Sequence, residues 1–300
     1  MRRGLGLRAA PTGGHRREGR CRTLAVVLVV DAQVHIWSHG PPTTPTHRQV
    51  GSFTKDELLA EMDAAGVDAA VIHPPGWDPD ANQVAADAVA QHPDRFAILG
   101  SLPLAQPESR GRVEGWRRQA GMLGLRFALL APHQRSWPTD GTMDWLWPAA
   151  ESAGVPIALL AADFLPVVGR VAERYPGLKL IVDHLGGRGG TTPAKDAAYF
   201  EKIDELVALA KHPNVAVKAT GAPGYSSEPY PFRSIHPFLR RIFDAFGPER
   251  FFWGSDLTRM PCPYRQVVTL FAEELPWLTG RDLELVMGKA VCDWLGWKQP

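Results

Sequence analysis

The stretch Ala25-Val-Val-Leu-Val-Val-Asp-Ala-Gln-Val-His-Ile-Trp37 decides how the rest of the chain is read. Six apolar residues, four of them valine, run without a break into Asp31. That is the pattern of a strand buried on both faces, as in a parallel sheet. Such a run ends in Asp31, Gln33 and His35 only if its C-terminal end opens onto something polar. In parallel α/β architectures ligands bind at that end. Residues two apart in a strand share a face, so Gln33 and His35 point into one space.

Working outward, strand and helix patterns alternate. Further strands are expected over Asp68–Ile72, Arg95–Ser101, Met122–Phe127, Val155–Leu160, Leu178–His184, Val215–Ala219 and Arg250–Asp256. The first helix is signalled by a capping box, Thr54-Lys-Asp-Glu57, and stopped by Gly66. Helices are also expected over Asp80–Gln91, Pro107–Ala120, Met143–Ala153, Leu165–Tyr175, Ala194–Lys211 and Ile235–Phe246, with two more near Tyr264–Leu275 and Arg281–Leu295. Eight strands separated by helices predict an α/β chain folded as a single-domain (β/α)8 barrel over residues 25–297. A doubly wound open sheet is the runner-up, but no strand is followed by G-x-G-x-x-G.

Composition narrows the function. A net charge of +1 without a basic stripe gives no reason to expect nucleic acid. No apolar run approaches the roughly 18 residues of a membrane span. Cys21, Cys262 and Cys292 are odd in number and far apart, which fits a reducing cytoplasm. Residues 1–24, rich in Arg and Gly, read as a disordered or artefactual leader. Arg2-Arg3 resembles a twin-arginine signal, but the apolar run that follows is short and lacks a cleavage site. A small-molecule substrate is the expected partner, and a homodimer is the commonest oligomeric expectation.

In a barrel, the polar residues at strand ends converge on one mouth. Here they are Gln33, His35, His73, Ser101, Arg126, Asp183, His184, Lys218 and Asp256. Asp256 is the most telling. Phe-Phe-Trp-Gly-Ser-Asp256 carries an acid straight out of an aromatic strand, and a buried carboxylate needs a partner or a task.

Three motifs together resemble the amidohydrolase superfamily, in particular the lactonase and decarboxylase-like branch called amidohydrolase family 2. They are Asp31-x-x-x-His35-x-Trp37 on the first strand, Val182-Asp-His184-Leu-Gly186 after the sixth, and Gly254-Ser-Asp256 after the eighth. Gln91-His-Pro-Asp-Arg-Phe96 and Phe246-Gly-Pro-Glu-Arg-Phe251 are similar to that branch as well, so the likeness runs from about Val26 to Trp297. The resemblance implies a hydrolytic site at the barrel mouth, commonly with one or two divalent metals. Members usually begin with His-x-His and add histidines after strands five and six. This chain has Gln33 at the first position and no His in Pro156–Asp163. The metal set that matches is His35, His184 and Asp256.

An amide oxygen is a weaker zinc donor than imidazole. The expectation is therefore no tightly bound cofactor, or one divalent metal, zinc or manganese, at a weakened site. The chemistry expected is hydrolysis of a small carboxylate-bearing lactone or related ester. Asp256 activates water, His184 and His35 serve the oxyanion or the metal, and Arg126, Gln33 and Arg259 bind substrate. One alternative is a metal-dependent non-oxidative decarboxylase of an aromatic or enoic acid, and another is an inactive barrel kept as a binding module.

Blander readings stand beside these. Arg126 could simply pair with a structural carboxylate. His73 reads as loop-shaping, and Lys218 as half of an ion pair. Trp137, Trp145 and Trp147 read as packing or pocket lining. His39, His47, His92, His133, His212 and His236 have no convergent context and receive no role.

Overall fold

The structure, a computed structural model, describes residues 27–298; the leader expected over residues 1–24 lies outside the described residues. Eight strands, β1 Val30–Val34, β2 Ala69–Ile72, β3 Phe96–Gly100, β4 Met122–Phe127, β5 Ile157–Leu159, β6 Leu180–Val182, β7 Val215–Thr220 and β8 Phe251–Gly254, form one sheet in sequential order. Every neighbouring pair is parallel. This is the expected (β/α)8 barrel, nearly closed, with helices between its strands.

The seam between β8 and β1 is stitched by one side chain. Asp31 is fully buried and accepts from Ser255 N at 2.8 Å, Gln33 N at 2.9 Å, Tyr264 Oη at 2.5 Å and Ser255 Oγ. Burial pushes its carboxyl up to about 6 despite these donors. One rung higher, Asp256 N donates to Gln33 O at 2.9 Å.

β1 carries one extra residue against β2: Asp31 pairs with Ala70, but Val34 pairs with Ile72. The slip lets Ala32 pack in the barrel interior with Val71 and Phe252, while Val34 packs outward with Ile72. The terminal segment Leu285–Leu295 joins that interior cluster through Leu285, Ala290, Val291 and Leu295 and plugs the barrel floor.

The first helix forms as its sequence dictates. Lys55–Ala65 has the Thr54/Glu57 capping box and ends on Gly66 in the left-handed region. Two expected helices are broken instead. Pro107–Ala120 divides into short turns over Pro107–Ser109, Arg110–Val113 and Trp116–Arg118. Gly111 and Gly115 weaken a continuous helix there, and the buried Trp116 indole donates to Gly124 O at 2.8 Å, anchoring the turn. Ala194–Lys211 divides at Phe200, because the Tyr199 hydroxyl reaches away to His184 O at 2.9 Å.

Candidate active site

Asp256 follows β8 with a left-handed backbone, φ 53°. His184 after β6 is similar at φ 54°, and Leu185 follows at 56°. Such angles are costly for residues with a Cβ and collect where structure is held for function. Here they turn an acid and an imidazole toward the same point. Burial alone would raise the Asp256 carboxyl, yet the Arg259 guanidinium paired with its Oδ2 holds it well below the usual range.

His35 sits at the end of β1. Its Nδ1 lies 2.6 Å from His73 O, so Nδ1 carries a proton and donates. Its Nε2 stands 3.3 Å from Asp256 Oδ1, an oxygen with no hydrogen-bond partner among the described residues. Two lone pairs at that separation call for a proton or a cation between them.

The tautomer of His184 follows from its neighbours. Thr220 Oγ accepts from His184 N at 3.3 Å, which leaves its hydroxyl proton for His184 Nδ1 at 2.9 Å. Arg259 Nη2 also approaches Nδ1, at 3.4 Å. The ring proton therefore sits on Nε2, 3.8 Å from Asp256 Oδ2. Burial, reinforced by Arg259, lowers the imidazole to about 3 and keeps it neutral.

Beneath this layer lies a buried charged network. Asp183 Oδ2 accepts from Arg126 Nε at 2.9 Å, and its Oδ1 lies 2.7 Å from Lys218 Nζ, an ion pair outside hydrogen-bond alignment. Lys218 Nζ donates to Gln33 Oε1 at 2.8 Å. Burial opposes the charge on Asp183, but Lys218 and Arg126 hold its carboxyl far below the ordinary value. Gln33 is thus a partner in this network. It shares the face of His35 but lies a layer deeper, fully buried and away from the cavity wall.

Arg126, His35, His184, Asp256 and Arg259 all line one cavity of about 580 Å³ at the barrel mouth. Arg126 gives only its Nε to Asp183; among the described residues its terminal nitrogens donate to nothing. Gly190 lets the loop after β6 close on Arg259, where any Cβ would collide with that guanidinium and with Thr46. Trp137 lines the cavity, whereas Trp145 and Trp147 pack into the core. Burial pushes the Cys262 thiol up to about 11, which disfavours the reactive thiolate.

The residue that sequence reasoning missed is His47. It comes from the long loop after β1, is buried, and stands 5.3 Å from His35 ring to ring. Its Nδ1 is 2.7 Å from Thr258 Oγ1, and Arg48 N donates to Thr258 O at 2.8 Å, which pins the loop to the segment after β8. No periodicity marks this contact in the sequence. Burial lowers His47 to about 3 and keeps it neutral, against the pull of Asp256.

Donor atoms of His35, His47 and Asp256 lie within 4.8 Å of one another. This trio, rather than one containing His184, is the compact metal-capable group in the barrel mouth. Two imidazoles and a carboxylate with a free Oδ1 fit one divalent ion and leave positions open. The fit is weak, because Arg259 already occupies the other oxygen of the same carboxylate. A second group, His39, Asp78 and Asp80, lies outside the cavity wall, and Asp78 there caps the backbone of Ser38 and Asp80.

A parallel barrel with an acid, imidazoles and guanidinium groups converging on its C-terminal mouth defines a class of barrel enzymes working on small molecules. The family model described as Amidohydrolase matches residues 30–289. The chain belongs to the amidohydrolase family and is an enzyme of that type. It is 25% identical over 237 residues to an L-fucono-1,5-lactonase of Burkholderia ambifaria, covering 76% of this chain and 79% of that protein. It is 26% identical over 244 residues to a 4-sulfomuconolactone hydrolase of Hydrogenophaga intermedia, covering 75% and 73% respectively. Among solved structures, an amidohydrolase from Burkholderia multivorans with bound zinc superposes with a TM-score of 0.76 at 21% identity, covering 90% of this chain and 99% of that one. Among the described residues no helix is long and apolar enough to cross a membrane.

Proposed function

We propose that the chain hydrolyses a small carboxylate-bearing lactone to the open hydroxy acid. One observation carries this reading: Arg126 lines the cavity with terminal nitrogens that donate to nothing among the described residues. His35 aside, Arg126, Lys218 and Arg259 face only Asp183 and Asp256. His47 and His184 are held neutral by burial, at about 3, and burial with the nearby Lys218 holds His73 well below its usual range. Of these cations, Arg126 keeps free nitrogens at the cavity wall, since only its Nε is taken by Asp183. A substrate carboxylate fits those free nitrogens in bidentate fashion.

The chemistry follows from the side chains. Asp256, ionised and fixed by Arg259, takes a proton from water as its oxygen attacks the lactone carbonyl. His184 Nε2–H donates to the developing oxyanion. When the ring opens, the proton held by Asp256 passes to the leaving alkoxide. A divalent ion held by His35, His47 and Asp256, such as the zinc bound by the structural neighbour, would polarise the carbonyl and acidify its bound water.

The test is a screen of carboxylated lactones followed by proton release, which is one per turnover above the product pKa. Asp256→Asn should lower kcat by roughly 10²- to 10⁴-fold with circular dichroism unchanged. Undiminished turnover in that variant would remove the mechanism, and release of carbon dioxide instead of a proton would install the decarboxylase reading.

A further inference from the structure

The cavity is larger and more apolar than a small carboxylated ring requires. Its volume of about 580 Å³ lies within the roughly 300–1,000 Å³ of sites that enclose drug-sized ligands. Acid, imidazoles and Arg259 come from the loops after β1, β6 and β8. The loops after β2, β3 and β4 bring mainly Trp77, Leu102, Leu104, Leu129, Leu130 and Trp137, with Ser101, Gln106 and Gln134 among them. Along the leucine and tryptophan side chains themselves a hydroxyl would lose hydrogen bonds to water, whereas an apolar group would not.

The wall shows signs of being built for contact. Leu129 adopts φ 50°, a left-handed backbone that costs energy for a leucine. An extended chain would send consecutive side chains to opposite sides, whereas here both Leu129 and Leu130 line the cavity. Leu130 is 44% exposed, one of two large aliphatic side chains so exposed among the described residues.

Resting on the lactone reading, we infer that the substrate's carboxylated lactone ring carries a bulky apolar substituent, aryl or branched alkyl, seated on the Trp77–Leu129–Trp137 wall. Carboxylate and lactone face Arg126 and Asp256, and the substituent lies across the loops after β3 and β4. Polyhydroxylated lactones are then poor substrates.

Binding tests this without turnover. Calorimetry on the full chain should find 4-phenylbutyrate bound about tenfold or more tighter than butyrate, the scale expected from burying a phenyl-sized apolar surface. Gluconate should bind more weakly than either. In L130N and W137A the phenylbutyrate-to-butyrate ratio should fall toward one, whereas general damage to the site would weaken both acids alike. A wild-type ratio near one, or gluconate bound tightest, overturns the inference. If the ratio holds and no lactone is hydrolysed, the apolar wall stands and the hydrolase reading falls. If lactones are hydrolysed without preference for apolar substituents, the reverse is true.

Discussion

Lys218 shows how far one residue's charge reaches. It is fully buried, and burial draws its ammonium down from 10.5 to about 8, although Asp183 pulls the other way. The folded chain therefore releases this proton near 8, whereas the unfolded chain keeps it up to the ordinary value of 10.5. Below 8 the buried charge lowers stability, and the penalty is relieved as pH rises through that window. Function moves oppositely. Once Lys218 is neutral, the cavity floor has one positive charge fewer and Asp183 is left to Arg126 alone. The KM for a carboxylate substrate should rise roughly three- to tenfold as pH passes about 8. In contrast, kcat should hold, because Asp256 is ionised and His184 neutral across the whole range. Steady-state kinetics from neutral pH upward checks this; a flat KM, or a fall confined to kcat, would refute the role given to Lys218.

Among the elements, β1 carries the most, and its reading from sequence was only half complete. The apolar run ending in Asp31, Gln33 and His35 announces a buried parallel strand, and β1 is one. What the pattern does not reveal is the division of labour among those three side chains, because the extra residue between Asp31 and Val34 sets it. Asp31 turns to the seam, Gln33 to Lys218, and His35 to Asp256. The seam role yields a prediction. Asp31→Ala leaves the backbone N–H of Gln33 and Ser255 and two hydroxyls, all facing a buried space, without their acceptor. Each unsatisfied buried group costs about 1–3 kcal/mol, so the variant should lose roughly 3 kcal/mol or more. The urea midpoint measures the loss, and an unchanged midpoint would mean that the backbone contacts of β8 close the barrel by themselves.

At the scale of the whole molecule, a residue was legible where it ended an apolar strand. Asp256 and His184 stand out because a strand cannot bury a charge or an imidazole without a reason. His47 was not legible, because its place depends on the loop after β1 meeting Thr258, a contact between residues 211 positions apart. The helices over Pro107–Ala120 and Ala194–Lys211 failed for a related reason: single aromatic anchors, Trp116 and Tyr199, overrode local propensity. His47 also reshapes the metal question. With it, three donors meet at the barrel mouth, but beside Arg259, which is already paired with the same carboxylate. A divalent cation there meets repulsion that only a negative substrate or hydroxide offsets. Chelator should therefore leave most lactone hydrolysis intact, and zinc should wash off the protein on gel filtration. Arg259→Met frees Asp256 Oδ2 and removes the nearest cation, so its zinc affinity should rise about tenfold or more even as turnover falls. Metal content after desalting separates the cases. Stoichiometric zinc retained by the unaltered chain, lost together with activity on chelation, would make the metal rather than Arg259 the partner of Asp256.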